Sequence, residues 1–224
     1  KCFFGYGYGA FDFRSRFCLK VFIITFVKGD FTMYDIEKYT ALIKERLSDY
    51  RFYHSLCVAE SAKKLAKRYG ADEEKAEVAG LLHDAMKESD LDEQLALIKE
   101  QEIEVTDFDL ANPKFYHQSS GAAFAKKLGI TDEEIIKAIR YHTTGRANMT
   151  LMEEIVYLAD FISADRDYKD IEVIREETEK GKEYGLLMGT AYTIKSVAKK
   201  KKPLHPSTVS AYNWILDTYF KQEG

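Results

Sequence analysis

The chain has 224 residues, 46% of them hydrophobic and 31% charged, with a formal net charge of −4. That length and balance suit one globular domain with a small appended piece. They exclude a strongly basic surface for long nucleic acid. Three cysteines without CxxC spacing give no disulfide framework and fit a reducing, cytoplasmic setting. The most apolar run, Phe17 to Val27, contains Lys20 and is too short to cross a bilayer, so no membrane partner is expected.

Residues 1–32 differ from the remainder. They begin with Lys, are rich in Phe, Tyr and Gly, and lack helical periodicity. Lys28-Gly29-Asp30 can be written in purine-rich codons that resemble a ribosome-binding site just upstream of Met33. The expectation is a translated leader or disordered segment over 1–32 and a functional domain over 33–224. A genuine N-terminal hairpin is the alternative.

From Met33 onward the pattern predicts helices only. Asp35 to Leu47 is amphipathic, and Arg51 to Tyr69 carries Leu56, Ala59, Ala62, Leu65 and Ala66 on one stripe until Gly70 stops it. A helix opened by Asp72 follows, with Ala76, Ala79, Leu82 and His83 on one face, and then another from Leu91 to Lys99. Thr106 to Pro113 reads as a loop. Gln118 to Leu128 reads as a helix ended by Gly129, and Thr131 with Glu134 as a capping box for a helix to Tyr141. Leu151 to Ala164 is a strongly apolar helix, and Glu176 to Lys199 a long one weakened by glycines. Pro206 opens a last helix ending near Phe220. The fold class is all-α, with about eight to ten helices.

Five histidines punctuate this pattern: His54, His83, His117, His142 and His205. A single histidine on an apolar face is more often a satisfied core residue. The ordered set carries the inference. His83 is followed directly by Asp84 at the end of an apolar stretch, and Asp160 lies inside Val156-Tyr157-Leu158-Ala159-Asp160-Phe161-Ile162. A carboxylate buried there is costly unless it is paired or binds a metal. His54, His83, Asp84, His117, His142 and Asp160 can together fill the ligand shell of one or two metal ions. Mixed imidazole and carboxylate ligation suits iron, manganese or another transition metal. A metal pair about 3.5–4 Å apart can hold phosphate oxygens and activate water. Lys87 follows Asp84 by three residues on the same expected helix face, and with Asp84 it is a candidate catalytic group. Lys87, Thr143, Thr144, Arg146 and Arg166 are candidate substrate contacts. Each of these cations, judged alone, is equally well a surface ion-pair residue. His205 reads as a helix cap or surface contact.

The motifs resemble the HD-domain phosphohydrolases, and within them the bacterial YqeK family. The resemblance rests on Arg51-Phe52-Tyr53-His54, Leu81-Leu82-His83-Asp84-Ala85-Met86-Lys87, His117 with Gly121-Ala122, Tyr141-His142-Thr143-Thr144-Gly145, Leu158-Ala159-Asp160-Phe161-Ile162 with Arg166, and Leu204-His205-Pro206. It covers roughly residues 34–222. It implies an HD-domain helical bundle with a metal centre in its core, iron being the metal. It implies symmetrical hydrolysis of diadenosine tetraphosphate, or of another nucleotide, and a homodimer. His54, His83, Asp84 and Asp160 would hold a first metal, with His117 and His142 completing a second site. A di-iron oxygenase and a non-catalytic nucleotide-binding module are the competing classes.

Overall fold

A computed structural model of the chain describes residues 33–221. The leader or hairpin expected over 1–32 lies outside the described residues. The described residues form eleven α-helices and no strand, in agreement with the all-α expectation and slightly beyond its upper count.

The helices begin where short polar side chains satisfy free amide groups. Asp35 caps α1 (Ile36–Arg46), Ser48 caps α2 (Asp49–Tyr69), and Asp72 caps α3 (Glu73–Leu82). Gly70 closes α2 at φ 74°, a left-handed conformation that favours glycine. Next come α4 (Leu91–Glu100) and α5 (Asp107–Ala111). A 3-10 turn at Pro113–Phe115 then leads into α6 (Tyr116–Lys127). The apolar helices α7 (Glu133–Tyr141) and α8 (Leu151–Ile162) follow. The chain ends in α9 (Ile171–Lys180), α10 (Lys182–Lys199) and α11 (Pro206–Ile215), with a π turn over Leu216–Phe220.

Helix α8 is the axis of the bundle. Met152 to Ala159 are buried without interruption, and the helix packs against α2, α3, α7, α9 and α10. An apolar helix of this kind is stable only when neighbours cover it all round. The α2–α3 pair packs most closely. A Cβ added to Gly80 would lie 2.9 Å from the Ala59 Cα, so the absence of a side chain there sets the approach of the two backbones.

Four expectations are corrected. Thr106 to Pro113 contains a helix rather than a loop, because Thr106 and Asp109 cap one another's backbone amides. The start of α7 is capped by Asp132, which accepts from the Glu134 amide, instead of by a Thr131–Glu134 box. The long helix expected over Glu176 to Lys199 is two, divided at extended Gly181. The glycines read as weakening it are packing positions: Gly185 lies against Thr178 and Gly189 against the Phe161 ring. Finally, His205 caps α11 but is buried, only 5% exposed.

Gly80→Val is expected to force α2 and α3 apart and to destabilise the protein by about 1–3 kcal/mol, measured by urea unfolding. An unchanged midpoint would show that the crossing tolerates a side chain.

Candidate metal centre

Five elements deliver the expected ligands to one place. His54 comes from the second turn of α2, His83 and Asp84 from the end of α3, and His117 from the first turn of α6. His142 caps the end of α7, and Asp160 comes from the last turns of α8. The imidazoles form a row, with ring centroids 5.1 Å apart for His54–His83, 4.9 Å for His83–His142 and 5.2 Å for His142–His117.

Each ring is held by its Nδ1. His83 donates to the Gly80 carbonyl at 2.6 Å, His117 to Lys114 at 2.8 Å and His142 to Ile139 at 2.8 Å. His54 Nδ1 meets the Asp165 carboxylate at 2.8 Å. These partners fix the tautomer that carries its lone pair on Nε2, the arrangement that orients a metal-ligating histidine. The Nε2 atoms face the two carboxylates. Asp160 Oδ1 lies 3.0 Å from His54 Nε2 and 3.8 Å from His83 Nε2. Asp84 Oδ2 lies 3.7 Å from His83 Nε2, while its Oδ1 lies 3.4 Å from His142 and 3.6 Å from His117. Asp84 therefore stands between two ligand groups with one oxygen toward each.

The donor set fits a metal on a direct observation. His83 Nε2 and Asp84 Oδ1 are buried without a hydrogen-bond partner, a costly condition that coordination would relieve. Three overlapping sets bring ligand atoms within 4.8 Å of one another: His54–His83–Asp84, His83–His142–Asp160 and Asp84–His117–His142. Burial lowers the His83 imidazolium to about 4, and it also lowers His117, assisted by Lys87. Both rings are therefore neutral near pH 7. Burial would raise the carboxyls of Asp84 and Asp160. The surrounding cations and imidazoles outweigh it, His83 and Lys87 at Asp84 and Arg166 at Asp160, and hold both well below the usual range.

Lys87 reaches His117 Nε2 at 2.8 Å and Asp84 Oδ1 at 3.5 Å. It does so without the helix face expected of it, since α3 ends at Leu82. The chain continues in i→i+3 turns, with Lys87 N donating to Asp84 O at 2.9 Å, and such turns eclipse residues three apart. Thr143 Oγ lies 2.9 Å from both His117 Nε2 and His142 Nε2. Arg166 binds the Asp160 carboxylate and lies 3.3 Å from His54 Nε2. Two expected contacts are placed elsewhere. Arg146 forks onto Glu153 at 2.9 and 2.8 Å, and Thr144 is buried with its carbonyl bound by Thr208.

Two residues at the centre were missed from sequence. Arg51 lies 3.2 Å from Asp84 Oδ2, and its position one turn before His54 was a usable signal. Asp165, which orients His54, is 111 residues away in sequence and gave none. Beside the centre opens a cleft of about 640 Å3, lined by Lys87, His117 and Thr143 at its inner end and by Phe115, Leu204 and His205 along its wall. That volume lies in the range of small-molecule sites, about 300–1,000 Å3.

A family model described as an HD domain matches residues 51–165. The chain is 37% identical over 176 residues to the symmetrical bis(5'-nucleosyl)-tetraphosphatase of Halalkalibacterium halodurans, covering 78% of this chain and 94% of that protein. It is 34% identical over 181 residues to the protein of the same name from Bacillus subtilis, covering 80% and 97%. Among solved structures, a predicted HD superfamily hydrolase involved in NAD metabolism from Clostridium acetobutylicum superposes with a TM-score of 0.78 at 36% identity, covering 83% of this chain and 98% of that one.

The pH behaviour of the metal-free protein follows from the imidazoles. The unfolded chain takes up a proton at His83 near 6.5, whereas the folded protein resists until about 4. Stability is therefore expected to be full above 6.5 and to fall as pH drops through that window. Urea melts at pH 7 and pH 5 check this, and His83→Gln should reduce the difference, His117 supplying the remainder. Equal midpoints for the wild type at both values would contradict it.

Proposed function

The chain belongs to the HD-domain family, and from that premise we infer that it is a metal-dependent hydrolase that cleaves diadenosine tetraphosphate symmetrically into two ADP. The observation that carries the reading is the convergence of four Nδ1-anchored imidazoles and two carboxylates beside a cleft of nucleotide size. The names of its relatives supply the substrate class. A dinucleoside polyphosphate is the partner, and no helix among the described residues is long and apolar enough to cross a membrane. We assign the protein to the cytoplasm and to a homodimer.

In this reading His54, His83, Asp84, His117, His142 and Asp160 would hold one or two metal ions. We take the metal to be iron on the family resemblance; mixed imidazole and carboxylate ligation suits manganese, zinc or nickel as well. When bound, the metal supplies Lewis acidity toward phosphate oxygens and lowers the pKa of a coordinated water. The protein's own groups do the rest. Lys87 presents its ammonium between Asp84 and the cleft, where it binds the scissile phosphate and stabilises charge on the departing ADP oxygen. Thr143 donates its hydroxyl at the same inner wall. Arg166, a quarter exposed, contacts phosphate while balancing Asp160. Thr144 and Arg146 support this loop from behind, Arg146 through its fork onto Glu153. Water adds to one of the two central phosphorus atoms, the P–O bond to the central bridging oxygen breaks, and the second ADP leaves with that oxygen.

Product analysis on iron- or manganese-loaded protein under anaerobic conditions tests this directly. Two ADP per substrate are expected. ATP plus AMP would place the scissile bond elsewhere, and no product would remove the assignment. Lys87→Ala is expected to lower kcat about 100-fold while metal content stays at the wild-type level, read by elemental analysis. His83→Ala and Asp84→Ala are expected to lose metal and turnover together.

A further inference from the structure

The cleft beside the metal centre has an unusual charge pattern. The chain as a whole is acidic, with 37 Asp and Glu against 33 Lys and Arg. Yet among the described residues the cleft is lined by Lys87 and Lys114 and by no carboxylate. Lys202 immediately precedes Pro203 and Leu204, which form part of the same wall. Neither Lys114 nor Lys202 has an acidic partner among the described residues, and the Lys114 ammonium lies 4.6 Å from the centroid of the Phe115 ring in the cleft wall.

Lys202 lies in the turn that closes α10, its amide donating to the Val197 carbonyl at 3.2 Å, where a cation also suits the helix dipole. The helix dipole does not explain Lys114. Lys114 lies just before α6, at the end where the helix dipole is already positive. Lys114 lines the cleft itself and adjoins Phe115, while Lys202 adjoins Pro203 and Leu204 of the same wall. Burial pushes the Lys114 ammonium down and Lys202 pushes it further. Like charges beside a positive helix end make a local positive field that favours an anion. Lys114 is also one turn from His117, and its carbonyl anchors that ring at 2.8 Å. An anion held there is thus continuous with the metal centre, with Lys87 at the inner end.

We propose that Lys114 and Lys202 form a cationic clamp at the cleft mouth that binds the outer phosphates of a polyphosphate chain, and so sets the chain length the enzyme accepts. The proposal rests on the reading of this site as a dinucleoside-polyphosphate hydrolase. The metal centre and Lys87 engage the phosphates at the scissile bond. The clamp engages those beyond it, so a longer chain gains contacts that a single ADP does not make.

The test compares metal-loaded wild type with Lys114→Gln/Lys202→Gln, using Lys137→Gln as a surface-charge control. For the double variant the KM for diadenosine tetraphosphate is expected to rise about tenfold or more, the size of one strong contact, with kcat within about twofold. Inhibition by ADP should change much less. The salt dependence of KM should also weaken. Calorimetric binding of tripolyphosphate gives a readout independent of turnover and should weaken in the double variant alone. An unchanged KM with unchanged tripolyphosphate binding would overturn the clamp and leave the hydrolase reading intact. Equal losses for ADP and the tetraphosphate would overturn its role in chain length. A wild type that fails to hydrolyse the tetraphosphate, but whose tripolyphosphate binding still depends on these lysines, would overturn the hydrolase reading and keep the clamp.

Discussion

Everything at this site depends on holding imidazoles and ionised carboxylates together in a buried core. Alone, each of those groups would be expensive there. The protein solves this with the ends of its helices. His83 and His142 sit where α3 and α7 stop, and each donates Nδ1–H to a carbonyl three residues back. Those carbonyls belong to the last turn, which lacks the amides of a continuing helix. One bond therefore satisfies the backbone and turns the ring's lone pair toward the centre. His117, in the first turn of α6, donates Nδ1–H to the Lys114 carbonyl of the preceding 3-10 turn. The bundle geometry is needed to point these ends at one spot, and the close approach at Gly80 and Gly121 is part of it. A Cβ on Gly121 would lie 3.1 Å from the carbonyl of His83 itself.

The surroundings divide into two electrostatic shells. Arg51, Lys87 and Arg166 flank Asp84 and Asp160 at 3.2 and 3.5 Å or closer. Lys87 and Arg166 help to keep the carboxylates ionised, and Lys87 also lines the cleft. A second buried charge group, behind the cleft wall, is neutralised internally. Asp109 accepts from Thr106, Arg140 and His205. The Ser207 amide donates to His205 Nδ1, which leaves its Nε2–H to donate to Asp109. This group joins α5, α7 and α11 and gives the cleft a rigid side, with His205 set against Phe108 and Phe115.

Much of this was legible in the chain. Periodicity located the helices of the core, and the unlikelihood of buried acids pointed to Asp84 and Asp160. What escaped was set by contacts between distant segments. Asp165 reaches His54 only because α8 ends beside α2. Arg146 looked like a phosphate contact, but Glu153 claims its fork from the capping box of α8. His205 looked superficial because nothing local reveals that Asp109 lies against it. Gly185 and Gly189 read as helix-weakening in a propensity sense, and only the packing of Thr178 and Phe161 explains them. Within single helices, the errors were short caps: Asp132 does the work assigned to Thr131, and Thr106 with Asp109 builds a helix where Pro113 suggested only a loop.

The central claim is that one carboxylate, Asp84, joins two metal sites made from the ends of packed helices. Anomalous diffraction from crystals of the iron-loaded protein measures it most directly. The account requires two peaks about 3.5–4 Å apart, one among His54, His83 and Asp160, the other beside His117 and His142, with Asp84 between them. A single peak that leaves His117 and His142 without metal, or peaks away from Asp84, would contradict it.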